Sequence, residues 1–131
     1  DYFFYKFNFS KKDKKRIKII HNFYKEKINQ KSFLENRMNK IFYFDGKEAV
    51  IDILNFRILT SRRIENSLLE LKKLYENKEI PTLPISADTL IKKYKISEGR
   101  ALGIKLKNIE EEWVKNNFQI SYNQIDKIIK N

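Results

Sequence analysis

Cysteine is absent from this 131-residue chain, which excludes a disulfide framework, a catalytic thiol and any thiolate metal site. A single histidine, His21, leaves no partner set for a histidine triad or a zinc constellation. Glycine occurs three times and proline twice, with Pro81 and Pro84 falling within one stretch of four residues. No uncharged apolar run approaches the roughly 18 residues that a membrane span needs. The first residues are aromatic rather than a basic segment followed by an apolar one, so no secretory leader is read there. These absences point to a cytosolic, cytoplasmic protein with no membrane partner. The chain opens at Asp1 without an initiator methionine, as a piece cut from a longer polypeptide does.

Lysine is what the sequence has in excess. Twenty-eight Lys and Arg stand against 17 Asp and Glu, a formal charge of +11. Lys, Asn and Ile make up 54 of the 131 residues, and all three have codons rich in A and T, so genome composition accounts for part of the basicity. Lysine outnumbers arginine 22 to 6, whereas phosphate forks and base edges favour the planar donor array of arginine. With 41% apolar and 14% aromatic residues the chain has material for a real core despite 34% charge.

Apolar spacing predicts an all-α fold of about seven helices in an irregular bundle, with no strand pair. Ser10 with Asp13 resembles a capping box, and Ile17, Ile20, Tyr24 and Ile28 follow at spacings of three and four. Ser32 with Glu35 forms a second box ahead of Leu34, Met38, Ile41 and Phe42. Asp45-Gly46 marks a turn, and residues 49–56 are apolar nearly all round, as in a helix buried between neighbours. Ser61 is read as the cap of a helix carrying Ile64, Leu68, Leu71 and Tyr75. The prolines forbid a continuous helix and divide the chain into a helical body, 1–80, and a C-terminal helical tail, 81–131. In the tail, Ser86 starts a short helix with Leu90 and Ile91 facing inward. Ser97 is read as capping a longer helix with Leu102, Leu106, Ile109 and Trp113 in one stripe, Trp113 and Leu102 facing the helix of Leu90. Ser121 with Gln124 opens a last helix bearing Ile125, Ile128 and Ile129.

The segment 83–121, LPISADTLIKKYKISEGRALGIKLKNIEEEWVKNNFQIS, carries Pro84-Ile85 before a short helix, then Gly99-x-x-Leu102-Gly103, then Glu110-Glu111-Glu112 leading to Trp113 and Asn117-Phe118. Upstream come Phe9-Ser10 opening a basic helix and Gly46-x-x-Ala49-Val50-x-Asp52 in an apolar one. In this order the features resemble the C-terminal body and tail of bacterial class II tRNA nucleotidyltransferases, the CCA-adding enzymes and their poly(A) polymerase relatives. The sequence departs from the family pattern at Ala87, Thr89, Lys95 and Glu98, the first and third standing where glycine is common. The resemblance implies tRNA as partner, held by backbone and shape, and an N-terminal catalytic head on the same polypeptide. It also implies magnesium and nucleotide triphosphates as requirements of the parent enzyme, with no cofactor in this chain. Catalysis in the family uses paired carboxylates on two metal ions after a Gly-Ser turn. No Gly-Ser dipeptide occurs here, so this piece is expected to be inactive by itself, with no catalytic residue and no metal ligand. A free-standing helix-hairpin-helix nucleic-acid-binding module, or a protein-interaction domain, is the alternative.

Residues 96–103 read physically as a helix-hairpin-helix-like turn whose second helix starts with exposed amides. Gly99 leaves room there for a phosphodiester, Arg100 supplies a cation, and Lys92, Lys93, Lys105 and Lys107 lie nearby in sequence. Such a site contacts phosphates without reading bases. Gly99 and Gly103 equally suit two helices crossing closely, and both readings stand at this point. Lys11, Lys12, Lys14, Lys15 and Arg16 form the densest cation cluster and a second candidate for phosphate contact. The aromatics Tyr2, Phe3, Phe4, Tyr5, Phe7 and Phe9 are read as packing on the body rather than stacking bases, Trp113 as a helix anchor, and His21 as a partly exposed helix residue. Glu110 to Glu112 are read as a solvated face.

Overall fold

The structure, a computed structural model, describes residues 6–131 and is all-helical, with seven α-helices and one 3₁₀ turn among those residues. In chain order they are α1 (Lys11–Tyr24), the 3₁₀ turn Gln30–Phe33, α2 (Glu35–Asp45), α3 (Lys47–Thr60), α4 (Asn66–Asn77), α5 (Ala87–Tyr94), α6 (Arg100–Lys115) and α7 (Tyr122–Lys130). The chain divides into two compact units, one of Asp1–Leu34 and Ile41–Ile80, the other of Glu35–Lys40 and Pro81–Asn131. Tyr2, Phe3, Phe4 and Tyr5 lie outside the described residues. Phe7 is exposed, Phe9 is half-buried, and their rings are 6.3 Å apart.

The first unit is built around α3, which packs against both α1 and α4. Its residues Ala49, Val50, Ile53 and Leu54 are buried, each of the three larger side chains contributing about 1.5–3 kcal/mol by leaving water. Ser10 caps α1 by accepting the Asp13 amide at 3.1 Å, and its hydroxyl donates to the Asp13 carboxylate at 2.7 Å. One face of α1 is fastened to α3 by Arg16, whose Nε and Nη2 donate to the two oxygens of Asp52 at 2.9 and 2.8 Å. This paired hydrogen bond raises the Arg16 pKa still further above its already high value. Tyr24, at the end of α1, donates to the Ile53 carbonyl at 2.5 Å, and burial pushes its phenol up to about 12. Gly46, at φ 98°, closes α2 and opens α3, a left-handed backbone that glycine adopts without strain.

Two expected caps of this region differ. Ser32 does not start α2. It sits inside the 3₁₀ turn, 3% exposed, and answers a cap from Asn29, accepting the Asn29 amide at 3.1 Å. Its hydroxyl is thus spent one turn early, and α2 begins at Glu35 with no side-chain cap. Ser61 does not start α4 either. Its amide donates to the Arg57 carbonyl at 2.9 Å and so ends α3, while its hydroxyl donates to Arg63 C=O at 2.9 Å. Helix α4 begins at Asn66, which leaves Ile64 outside any helix and 84% exposed.

In the second unit α6 packs against α5 and α7 around Leu90, Leu102, Ile109 and Ile125. Ser86 caps α5 through the Thr89 amide at 3.3 Å, and Ser121 with Gln124 forms the full reciprocal box at α7. The Trp113 ring is 2% exposed and lies 5.0 Å from that of Phe118 rather than in the cluster about Leu90. Asn117 and Phe118 both take left-handed backbone after α6, at φ 56° and 64°. Asn117 Oδ1 accepts from Nδ2 of the fully buried Asn39 at 3.0 Å.

Candidate nucleic-acid interface

Helix α6 does not begin at Ser97, as the serine pattern suggests, but at Arg100, with Gly99 as its N-cap at φ 135° and ψ −163°. That conformation belongs to glycine almost alone, so the turn into the helix is made where glycine permits it, two residues after the serine. No side chain caps this end. The first backbone amide to find an acceptor is that of Gly103, which donates to Gly99 C=O at 3.3 Å. The three amides before it, of Arg100, Ala101 and Leu102, are left as donors at the positive end of the helix dipole. Before this turn, Lys95 closes α5 in a left-handed conformation at φ 58°, and the Ile96 amide donates back to Leu90 C=O at 3.3 Å.

A Cβ placed on either Gly99 or Gly103 meets nothing within 4 Å. The close-crossing reading is therefore wrong for both, since no neighbouring element of the described chain fills the space that their hydrogens leave. Gly103 sits one turn inside α6, exposed, where glycine costs roughly 1 kcal/mol against alanine. Arg100, Gly103 and Lys107 follow at spacings of three and four, share one helical face, and are all exposed.

The other lysines expected at this site are not gathered there. Lys105 lies on another flank of α6, where its ammonium donates to the Ile129 carbonyl at 2.5 Å in the last turn of α7. Lys93 projects from α5 over the Tyr122 ring, 4.8 Å from its centroid, and lies 5.5 Å from that of Tyr94. Lys92 is exposed on α5. The open face thus holds Gly99, Arg100, Gly103 and Lys107 of the residues that the sequence proposes.

The Lys11 to Arg16 cluster is also redistributed. Arg16 belongs to the clamp on Asp52 and Glu48, and Lys12 lies 3.7 Å from Glu48. Lys11, Lys15 and Lys18 are exposed, Lys14 is half-buried, and Lys25 continues their line just past the helix end. Lys11, Lys14, Lys15 and Lys18 are related by steps of three and four, Lys25 lies seven residues beyond Lys18, and all five fall on one helical face over about 21 Å, with no ion pair among the described residues. Lys18 and Lys25 escape a reading based on local density, but the helical period of lysine itself reveals them. His21 is exposed on the same helix.

Glu111 is exposed, and Glu112 accepts from Asn116 at 3.0 Å. No group of three or more His, Asp or Glu side chains is arranged to hold a metal ion among the described residues, and no helix among them is long and apolar enough to cross a membrane. Comparison with protein-family models, curated proteins and solved structures finds no match to this chain.

Proposed function

We propose that this chain binds the sugar-phosphate backbone of tRNA, as the helical body and tail of a CCA-adding or poly(A)-adding tRNA nucleotidyltransferase whose catalytic head lies on another part of the polypeptide. Magnesium and nucleotide triphosphates belong, in this reading, to the head. The observation that carries it is the open start of α6: three unpaired amides, Arg100 and Lys107, beside two glycines whose missing side chains accommodate nothing in the chain itself. A phosphodiester is the ligand for which such an end is suited, because backbone donors, helix dipole and cation act on one charge without a shape that selects a base. The resemblance of residues 83–121 to the tRNA nucleotidyltransferase tail supports the choice of tRNA. The lysine face of α1 supplies a second cationic surface, in the first unit.

Titration of tRNA with the 131-residue chain at several salt concentrations tests this reading. Arg100→Glu is expected to weaken binding of different tRNAs by similar factors and to flatten the salt slope by about one. Circular dichroism of the variant accompanies the titration. A folded Arg100→Glu protein with unchanged affinity and slope refutes the site. Equal affinity for duplex DNA and tRNA assigns the chain to the free-standing helix-hairpin-helix alternative.

A further inference from the structure

A surface cavity of about 380 Å³ with no α6 residue in its lining lies in the second unit, between α5, the start of α7 and the segment ahead of each. Its apolar wall is made by Ile85, Ile120 and Ile125, and its rim carries Lys93, the Thr89 hydroxyl and Tyr122. Tyr122 is 73% exposed, the first residue of α7, and held there by the Ser121–Gln124 box. An aromatic ring so exposed gains little from burial within the chain. Lys93 has no carboxylate partner among the described residues and rests over the Tyr122 ring. Tyr94, on the inner wall, donates to Asp126 at 2.9 Å, and that hydrogen bond raises its pKa and fixes the ring.

From this arrangement we infer that the cavity takes one unpaired nucleotide of a bound RNA strand, the base against Tyr122 and the isoleucine wall and the phosphodiester on Lys93. The inference rests on the reading of the chain as RNA-binding and adds a single-stranded contact to it. Three features select the occupant. The volume falls within the range of pockets for small planar ligands. The exposed ring offers a π-face, which stacks on any base. The single ammonium, without an arginine in the lining, suits the one charge of a phosphodiester better than the dianion of a phosphorylated side chain, for which arginine forks are the usual partner. Lys92 and Lys95, exposed on the same short segment, extend the positive field along a strand that continues beyond the cavity.

The probe is a 5′-labelled single-stranded uridylate hexamer, titrated into the full chain beside tRNA. Tyr122→Ala is expected to lower hexamer affinity at least fivefold, the lower bound for loss of one stacked base, while Tyr122→Phe keeps it within about twofold. Lys93→Gln is expected to weaken the hexamer and to reduce the salt slope by about 0.7, the single-strand value for one contact. In the unaltered protein, hexamer addition should shift the methyl resonances of Ile85, Ile120 and Ile125, a readout that needs no variant to fold. Unmoved methyls, or a folded Tyr122→Ala protein that binds the hexamer like wild type, overturn the inference. So does saturable binding of a phosphotyrosine peptide at those methyls without binding of the hexamer. The two readings fail separately: tRNA affinity lost in Arg100→Glu with Tyr122→Ala neutral toward the hexamer sinks the cavity alone. Hexamer binding through Tyr122 with tRNA indifferent to Arg100→Glu sinks the α6 site alone.

Discussion

Replacing Gly103 by alanine separates packing from ligand approach at one position. Its backbone is ordinary helix, and a Cβ there meets no atom within 4 Å, so alanine fits without displacing anything. Removing the backbone entropy that glycine costs inside a helix should then stabilise the second unit by about 0.8–1 kcal/mol. For a chain of this size that corresponds to a rise in melting temperature of about 3–5 °C. The same methyl projects from the face shared by Arg100 and Lys107, where a phosphate backbone would come closest. Affinity for tRNA should therefore fall while stability rises, two effects of opposite sign that a packing role for Gly103 does not produce. Thermal denaturation followed by circular dichroism reads the first, and fluorescence anisotropy with labelled tRNA the second. Gly99→Ala provides the contrast: the space beside it is equally open, but φ 135° strains any side chain, so this change should cost about 1–3 kcal/mol. A destabilised Gly103→Ala would mean that something occupies the space. A stabilised variant with unaltered tRNA affinity would mean that nothing approaches it.

Lys95→Gly should stabilise the second unit by about 1 kcal/mol, because Lys95 holds a left-handed backbone at φ 58° that glycine adopts without the Cβ clash; urea denaturation checks it, and no gain would mean that the lysine side chain earns its place by another contact. Trp113→Ala should cost about 3–5 kcal/mol, since the ring is 2% exposed and packs on Phe118; a variant that melts like wild type but loses tRNA binding would make the ring a stacking surface instead. Burial raises the Tyr24 pKa to about 12 in the folded protein, against about 10 when unfolded, so its contribution is fully present below pH 10 and lost as pH rises through 12. Discounted for partial exposure, the loss is about 1 kcal/mol, and Tyr24→Phe should remove that part of the alkaline decline in stability measured by urea titration between pH 9 and 12.

The serine caps show how far the sequence reaches. At Ser10, Ser86 and Ser121 the backbone is extended, ψ 158° to 164°, and the hydroxyl accepts the amide three residues on, as the pattern requires. At Ser32, Ser61 and Ser97 the same residue type appears in a plausible place and does not cap the helix expected to follow it. Each loses to a competitor: Asn29 draws Ser32 into a 3₁₀ turn, the end of α3 runs on to claim the Ser61 amide, and Gly99 takes the turn that Ser97 would have made. A local pattern states what a side chain is able to accept, not which neighbour reaches the backbone first. The apolar stripes are legible in the sequence because burial sums over a whole helix: Leu68 and Tyr75, Leu90, Leu102 and Ile109, and Ile125 are all buried. The candidate site was legible in part. Gly99, Arg100, Gly103 and Lys107 share a face because they share a helix, but the tie of Lys105 to Ile129 and the placement of Lys93 over Tyr122 depend on how α5, α6 and α7 pack, which no spacing within one helix encodes.

Lysine excess by codon bias and lysine excess by selection for a polyanion make different demands on position. Bias raises the number of lysines without regard to the helical period, and so places them on either face and beside carboxylates as often as chance allows. In α1 the charges are sorted. Arg16 and Lys12 meet Glu48 and Asp52 on the side that packs, while Lys11, Lys14, Lys15, Lys18 and Lys25 recur along the other without an ion pair among the described residues. Five like charges along one face repel one another, and helix neighbours of equal sign cost a few tenths of a kcal/mol per pair. Folding alone gains nothing from that arrangement, and a single glutamate on this face would relieve it. An anionic partner reverses the balance, since each lysine it neutralises releases a condensed counterion and converts the intramolecular repulsion into affinity. The segregation of charge on α1, rather than the total of +11, is therefore the feature that composition leaves unexplained and that the proposed nucleic-acid partner would account for.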